Sequence, residues 1–172
     1  IYCNHYSLND FHGLWGIGMI PDYIAVPLTV FVCVGIINAI NLIDGVNGLC
    51  SGFCIMASMV FGGVFIWSND TVTASLAVLS IGALIPFFLH NVFGRKSKMF
   101  IGDGGTLLMG CVMSVFVLNV LKSNTRCEGY CDWGLGLVPF TLAVLCVPVF
   151  DTVRVMTMRI LRKTSPFHAD KT

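Results

Sequence analysis

The chain has 172 residues, of which 56% are apolar and only 11% are charged. Soluble domains carry about 25% charged residues, and the mean hydropathy of +0.84 excludes both a water-soluble surface and a disordered chain. The net charge of +1 lacks the basic excess of a nucleic-acid-binding protein, so no nucleic-acid partner is expected. The composition therefore predicts an all-α, polytopic membrane helix bundle embedded in a lipid bilayer.

Five apolar runs have the composition of membrane-spanning helices, each of which needs about 20 residues. The fourth run is short and can begin earlier, through Gly104 and Gly105. The segment at 1–21 is aromatic and has no Lys or Arg, which predicts an interfacial stretch. The short connections leave no room for a soluble domain, so residues 1–172 are predicted to form one transmembrane domain. The five runs are Tyr23–Ile40, Leu49–Trp67, Val72–Leu89, Leu107–Leu121 and Leu135–Phe150.

The placement of the basic residues predicts the topology. Eight of the ten Lys and Arg lie in the connection at 90–106 and in the tail from residue 151. Because cytoplasmic loops of membrane proteins are enriched in Lys and Arg, these segments and the loop at 41–48 are expected in the cytoplasm. We therefore predict a multi-pass protein of the inner, cytoplasmic membrane with its polar motifs on the cytoplasmic face.

The first polar motif is NAINLIDGVNG at 38–48. Asn38, Asn41 and Asp44 are three residues apart, so at a helix end they share one broad face. Gly45 and Gly48 then allow the backbone to turn tightly and to approach a ligand. A plain helix C-cap would explain one Asn and one Gly, but not the whole set. The motif therefore favours a ligand site.

The second polar motif is FIGDGGT at 100–106, at the start of the fourth span. Glycines at a helix start leave backbone N–H groups free for an anion, and the helix dipole favours negative charge there. Asp103 can hold Mg²⁺ that bridges to phosphate oxygens, and Lys98 precedes it. The alternative for Asp103 is an ordinary helix N-cap. Two motifs on one membrane face favour the ligand interpretation.

The third polar segment is the tail after the last span. Asp151 and Arg154 are either an i,i+3 ion pair on one helix or contacts for a ligand. The following Arg and Lys residues have the composition of a cytoplasmic anchor. His168 is either a solvated loop residue or a ligand contact.

Together the three segments resemble the polyprenyl-phosphate N-acetylhexosamine-1-phosphate transferase family, and most closely its undecaprenyl-phosphate N-acetylglucosamine-1-phosphate transferase-like branch. NAINLIDGVNGLCSG at 38–52 is similar to the family's Asn/Asp-Gly loop. MFIGDGGTLLMG at 99–110 is similar to its Phe-x-Gly-Asp-x-Gly-Ser helix start. PVFDTVRVMTMRILRKTSPFHAD at 148–170 is similar to the lead-in to its His-rich cytoplasmic loop.

The resemblance implies that undecaprenyl phosphate attacks the sugar-side phosphorus of a UDP-N-acetylhexosamine, releasing UMP and beginning a cell-envelope glycan. It implies Mg²⁺, or alternatively Mn²⁺, as the cofactor, and a homodimer as a possible assembly. Asp44 and Asp103 are the implied catalytic residues, with Asp103 and Asn41 on the metal. The implied substrate-binding residues are Asn38, Asn41, Gly45, Asn47, Lys98, Phe100, Arg154 and His168.

The family also carries an adjacent Asp-Asp pair ahead of the region that this chain resembles, and a His motif after it. Neither occurs here, so we expect the chain to be the C-terminal half of an enzyme and inactive alone. Two other functions remain as hypotheses, a transporter or channel and a non-catalytic subunit of a membrane assembly. A transporter predicts polar residues at mid-membrane depth, whereas here they gather at one face, which favours the enzyme.

Overall fold

The computed structural model describes residues 7–9, 19–45, 48–94, 101–121 and 134–161, and the structural statements below concern these residues. They form six α-helices, with a short 3-10 helix at Ile43–Gly45 directly after the first. The α-helices are α1 Asp22–Leu42, α2 Leu49–Trp67, α3 Thr71–Phe93, α4 Gly102–Leu121, α5 Gly134–Val144 and α6 Cys146–Leu161.

The first four helices are long and apolar enough to cross a membrane, and α5 with α6 makes a fifth crossing if the bent pair is one span. The prediction of an all-α polytopic membrane bundle is therefore confirmed. The second predicted run coincides with α2, while α3 extends to Phe93. The fourth span begins at Gly102, so the short apolar run does lengthen through the glycines.

The fifth predicted span, Leu135–Phe150, is wrong as a single straight helix. The chain bends by 69° between the helices that end at Val144 and begin at Cys146. Pro148 lacks the N–H that would bond to the Val144 carbonyl, so a continuous helix loses a hydrogen bond at this point. Asp151 consequently lies in the second turn of α6 and not at the inner end of a straight span.

The helices pack as two antiparallel pairs, α1 with α4 and α2 with α3, and α2 also contacts α4. The two central helices are buried over about half of their apolar windows, 56% for α2 and 50% for α4, whereas α1 and α3 are each 28% buried. The outer faces of α1 and α3 therefore carry large exposed apolar side chains, such as Phe31 and Leu79. In a bilayer these faces suit lipid or further helices, because both are apolar.

The described part of the N-terminal segment contacts the body of α1. The Leu8 N–H donates a 2.8 Å hydrogen bond to the Thr29 hydroxyl, which itself donates to the Ala25 carbonyl. Thr29 lies seven residues into α1, or about 10 Å from its first residue at 1.5 Å per residue. Leu8 is buried beside α1, and the interfacial position of this segment stays a prediction.

Candidate functional site at the end of the bundle

The two polar motifs meet because α1 and α4 run antiparallel in one fixed register. Successive contacts between them occur about one helical turn apart, so each step along α1 matches a step backwards along α4. The four contacts are Cys33 with Ser114, Ile37 with Gly110, Asn41 with Thr106, and Asp44 with Gly102. This register confirms that the loop at 41–48 and the start of α4 lie at the same end of the bundle.

Gly110 sets how closely the two helices approach. A methyl group at this position would lie 2.7 Å from the Cα of Ile37, a distance that real Cβ atoms essentially never show. Small residues allow helix backbones to pack closely in membranes, where packing rather than water exclusion holds helices together. The absence of a side chain at Gly110 therefore places Asn41 and Thr106, one turn further on, within hydrogen-bonding reach.

Asn41 and Thr106 form a direct bond between the two motifs. The Asn41 Nδ2 group donates to the Thr106 Oγ1 atom at 2.9 Å, joining residues 65 apart in the chain. The Thr106 hydroxyl lies 3.2 Å from the Gly102 carbonyl and 3.1 Å from the Asp103 carbonyl, and donates its proton to them. Thr106 is 1% exposed, so its hydroxyl is shielded from water.

Asp44 reaches from the 3-10 helix to the start of α4. The Gly102 N–H donates to the Asp44 Oδ2 atom at 3.1 Å, and Gly102 has a φ of +76°, a left-handed conformation that glycine adopts without strain. Among the described residues, the carboxylate that accepts the Gly102 N–H is thus Asp44 and not Asp103, which the sequence offered as an N-cap. Asp103 is exposed in the first turn of α4.

The Asp44 carboxyl has an altered acidity. Partial burial is the largest effect and raises its pKa above the usual value of 3.8. Hydrogen bonds from the Gly102 and Ile101 N–H groups oppose the rise, and the nearby negative charge of Asp103 adds to it. Two carboxylates near each other, one of them partly desolvated, form a site that a cation stabilises.

The five residues Asn41, Asp44, Gly102, Asp103 and Thr106 are called the polar cluster below. Its possible metal donors are two carboxylates and one amide oxygen. Mg²⁺ prefers such oxygen ligands and is usually bound through one or two carboxylates, with water and substrate phosphates completing the shell. In the described part of the chain, no three His, Cys, Asp or Glu side chains form a metal cage. The donor set fits a Mg²⁺ ion whose remaining ligands are water or phosphate oxygens.

The other predicted site residues have varied placements. Asn38 is exposed on α1, on the side of Val34 and Leu42, and does not join the Asn41–Thr106 bond. Gly45 ends the 3-10 helix next to Asp44. Arg154 pairs with Asp151 at 3.3 Å, which confirms the predicted i,i+3 ion pair. The predictions for Asn47, Lys98, Phe100 and His168 fall outside the residues that the structure describes.

Asn91 is not among the site residues predicted from the sequence. It is 3% exposed, and its Oδ1 atom has no hydrogen-bond partner among the described residues. Its neighbour Val92 packs against Gly48, where a methyl group would lie 2.6 Å from the Val92 Cγ2 atom. The end of α3 therefore lies against the turn of the first motif. A polar residue in the last turn of an apolar helix was the available signal.

Comparison with known proteins places the chain in a family. A family model described as "Glycosyl transferase family 4" matches residues 1–121, well over half of the chain. No solved structure matches the chain.

Curated relatives include a Bacillus subtilis (strain 168) protein named "Probable undecaprenyl-phosphate N-acetylglucosaminyl 1-phosphate transferase", which is 33% identical over 87% of this chain and 39% of its own length. Proteins named "Undecaprenyl-phosphate alpha-N-acetylglucosaminyl 1-phosphate transferase" are 29% identical in Escherichia coli (strain K12) and 28% identical in Yersinia pestis. They are matched over 84% and 96% of this chain, and over 38% and 43% of their own lengths. The chain thus spans about two fifths of these relatives. The resemblance read from the three motifs is confirmed, and the chain belongs to glycosyl transferase family 4.

Proposed function

We propose that this chain forms part of a membrane enzyme that transfers N-acetylhexosamine-1-phosphate from a UDP-sugar to undecaprenyl phosphate. A phosphate oxygen of the lipid attacks the sugar-side phosphorus of the UDP-sugar. The bond between that phosphorus and the oxygen that bridges the two phosphates breaks, and UMP leaves with the bridging oxygen. One phosphoanhydride bond is formed and one is broken, so the reaction needs no ATP. The proposal places the reaction on the cytoplasmic face of the inner membrane, as the first membrane step of a cell-envelope glycan.

The observation that carries the proposal is the convergence of Asn41, Asp44 and Asp103 at one end of the bundle. Two segments that are distant in sequence are joined there by two hydrogen bonds, Asn41 to Thr106 and Gly102 to Asp44. Both substrates are anionic, and two acidic side chains alone would repel them. A divalent cation makes this constellation suitable for phosphate chemistry, since it is attracted by the carboxylates and by both reactants.

In this proposal, Asp103 and the Asn41 amide oxygen hold the cation, which is Mg²⁺ or alternatively Mn²⁺. When bound, the ion neutralises charge on the two phosphates and on the departing UMP. Asp44 keeps the start of α4 in position and adds negative charge to the pocket. The turn at 45–48 and the neighbouring Asn91 supply polar groups for the nucleotide. Asn38, Asn47, Lys98, Phe100, Arg154 and His168 stay predicted substrate contacts.

Transport is a weaker alternative for the described residues. The buried hydroxyls of Thr29, Ser80 and Ser114 donate to carbonyls of their own helices, at 2.6, 2.8 and 2.8 Å. Hydroxyls used in this way satisfy helix carbonyls and do not offer a polar path through the bilayer. The carboxylates of the polar cluster instead lie at one end, where a lipid headgroup and a soluble nucleotide can meet.

The proposal is tested by UMP release from UDP-N-acetylglucosamine and undecaprenyl phosphate, using the full-length protein in nanodiscs with Mg²⁺. Asp103→Asn is expected to lower turnover at least 100-fold, because removing one electrostatic group in an active site costs about that much. The matched control is Asp22→Asn, an exposed carboxylate at the other end of α1. The proposal fails if wild-type protein releases no UMP, or if both variants keep wild-type turnover.

A further inference from the structure

The Thr106 hydroxyl has a hydrogen-bonding role that cannot be predicted from the sequence of either motif. A hydroxyl carries one proton and can accept through its lone pairs. The Thr106 proton is directed to the carbonyls of Gly102 and Asp103, which are acceptors only. Towards Asn41 the hydroxyl can therefore act only as an acceptor. The Asn41 amide must present its NH₂ group to Thr106, as the 2.9 Å Nδ2–Oγ1 contact has it.

The orientation of an Asn side chain is decided by such contacts, because the two ends of the amide are equal in size and opposite in polarity. With Nδ2 bound to Thr106, the Asn41 Oδ1 atom points away from Thr106 and stays available as an oxygen donor. Among the described residues, the Asn41 Oδ1 atom accepts no hydrogen bond. A rotated amide would place a positively polarised NH₂ where a cation needs an oxygen.

We propose that Thr106 is a positioning residue that fixes the Asn41 amide with its carbonyl oxygen towards the cation. The proposal rests on the metal role given to Asn41 above. Thr106 itself need not touch the ion or either substrate. Its hydroxyl also bonds to the Asp103 backbone carbonyl, so one buried group sets the placement of both proposed metal ligands.

A second hydroxyl in the same interface provides a matched control. Ser114 lies two turns further along α4, donates to the Gly110 carbonyl at 2.8 Å and is 5% exposed. It faces Cys33 of α1 across the interface. Ser114 is therefore a buried hydroxyl in the same α1–α4 interface as Thr106, but it lies away from the proposed metal ligands.

The test measures Mn²⁺ affinity by electron paramagnetic resonance, using full-length protein in nanodiscs without substrate. Thr106→Val keeps the shape of the side chain and removes the hydroxyl. It is expected to weaken Mn²⁺ binding at least 10-fold, the usual minimum cost of losing a group that orients a metal ligand. Thr106→Ser keeps the hydroxyl, so its Mn²⁺ affinity is expected to stay within about 3-fold of wild type, a smaller change than the 10-fold loss expected for Thr106→Val. Ser114→Ala is expected to bind Mn²⁺ as wild type does.

A double-variant comparison separates positioning from general damage. In an Asn41→Ala background, Thr106→Val should cause no further loss of Mn²⁺ affinity, because there is no amide left to orient. The proposal is overturned if Thr106→Val binds Mn²⁺ like wild type, if Ser114→Ala loses as much, if the losses add, or if wild-type protein binds no Mn²⁺. If the variants show the expected Mn²⁺ affinities but the wild-type protein releases no UMP, only the proposed function is contradicted.

Discussion

The two ends of the bundle are held together by different interactions. At one end, the polar cluster joins α1 to α4 through two interhelical hydrogen bonds, with four of its five members partly or fully exposed. Roughly 20 Å further along the helices, by their rise per residue, lies the aromatic cluster, consisting of Phe61, Phe65, Phe116 and Phe140. Its ring centroids are 5.6 to 6.0 Å apart, and three of its four rings are at most 1% exposed.

The comparison separates stability from chemistry. The aromatic rings meet in tilted and edge-on arrangements that are favourable between π-systems, and they contain no polar atom that a substrate would need. The polar cluster instead holds two carboxylates near each other, which costs stability in the absence of a cation. We therefore expect substitutions at the aromatic end to lower the stability, and substitutions at the polar end to lower the activity with little change in stability.

The largest expected effect on stability is that of Phe116→Ala. Phe116 contacts both Phe61 and Phe65, so its removal leaves a cavity at the centre of the aromatic cluster. We expect a loss of about 3 kcal/mol in the free energy of unfolding, measured by denaturant titration in detergent. UMP release per folded molecule should stay at the wild-type level. The control Phe31→Ala removes a ring that is 76% exposed and should cost far less.

Gly110→Ala is expected to connect the two ends. Its methyl group would collide with the Ile37 backbone and push α1 away from α4, at a cost of about 2 kcal/mol. Because Asn41 and Thr106 lie one turn away, UMP release should fall as well. Gly63→Ala is the matched control, since that position has open space around it. Equal melting temperatures for the two alanine variants would contradict the close approach.

Asp44→Asn should separate activity from stability most clearly. The raised pKa of Asp44 means that its ionised form is less favourable in the folded protein than in the unfolded chain. The stabilising effect of the protonated form is complete below the unfolded value near 3.8 and is lost as the pH rises through the higher folded pKa. At neutral pH, Asn removes the charge and can still accept the Gly102 N–H. We expect a gain of at most about 1 kcal/mol, since solvent screens this partly exposed group.

The same Asp44→Asn variant should release UMP more slowly than wild type. Melting temperatures of both proteins, measured from pH 4 to pH 8, check the sign, because the advantage of the variant should shrink towards acid pH. If the variant is less stable than wild type at neutral pH, the hydrogen bonds that the Asp44 carboxylate accepts stabilise the fold by more than its desolvation destabilises it.

Arg154→Gln has the smallest expected effect. The Arg154 side chain is 76% exposed, and exposed ion pairs contribute about 0.2 to 1 kcal/mol. Stability should therefore change by less than about 1 kcal/mol, and the change should vanish in high salt. A large fall in UMP release with unchanged stability would instead support the predicted substrate contact at Arg154.

Much of the fold could be predicted from the sequence, because each span carries its own signal. Apolar length alone located α2 at Leu49–Trp67 and the bodies of α1 and α3. The break before Cys146 was missed even though Pro148 was visible, since hydropathy counts apolar side chains and does not register a missing N–H. The candidate site was predicted at the level of motifs. The sequence did not indicate that Asn41 would bond to Thr106, and the position of Asn91 in the last turn of an apolar helix was its one available signal.

The sequence by itself determined that this is a polytopic membrane protein of glycosyl transferase family 4, since composition and ordered motifs are properties of the chain alone. Only the tertiary structure decided which residues of those motifs meet. Gly110 lets α1 and α4 approach closely, and the antiparallel register then pairs Asn41 with Thr106 and Asp44 with Gly102. Such pairings depend on how two helices pack, and no periodicity within either helix specifies them.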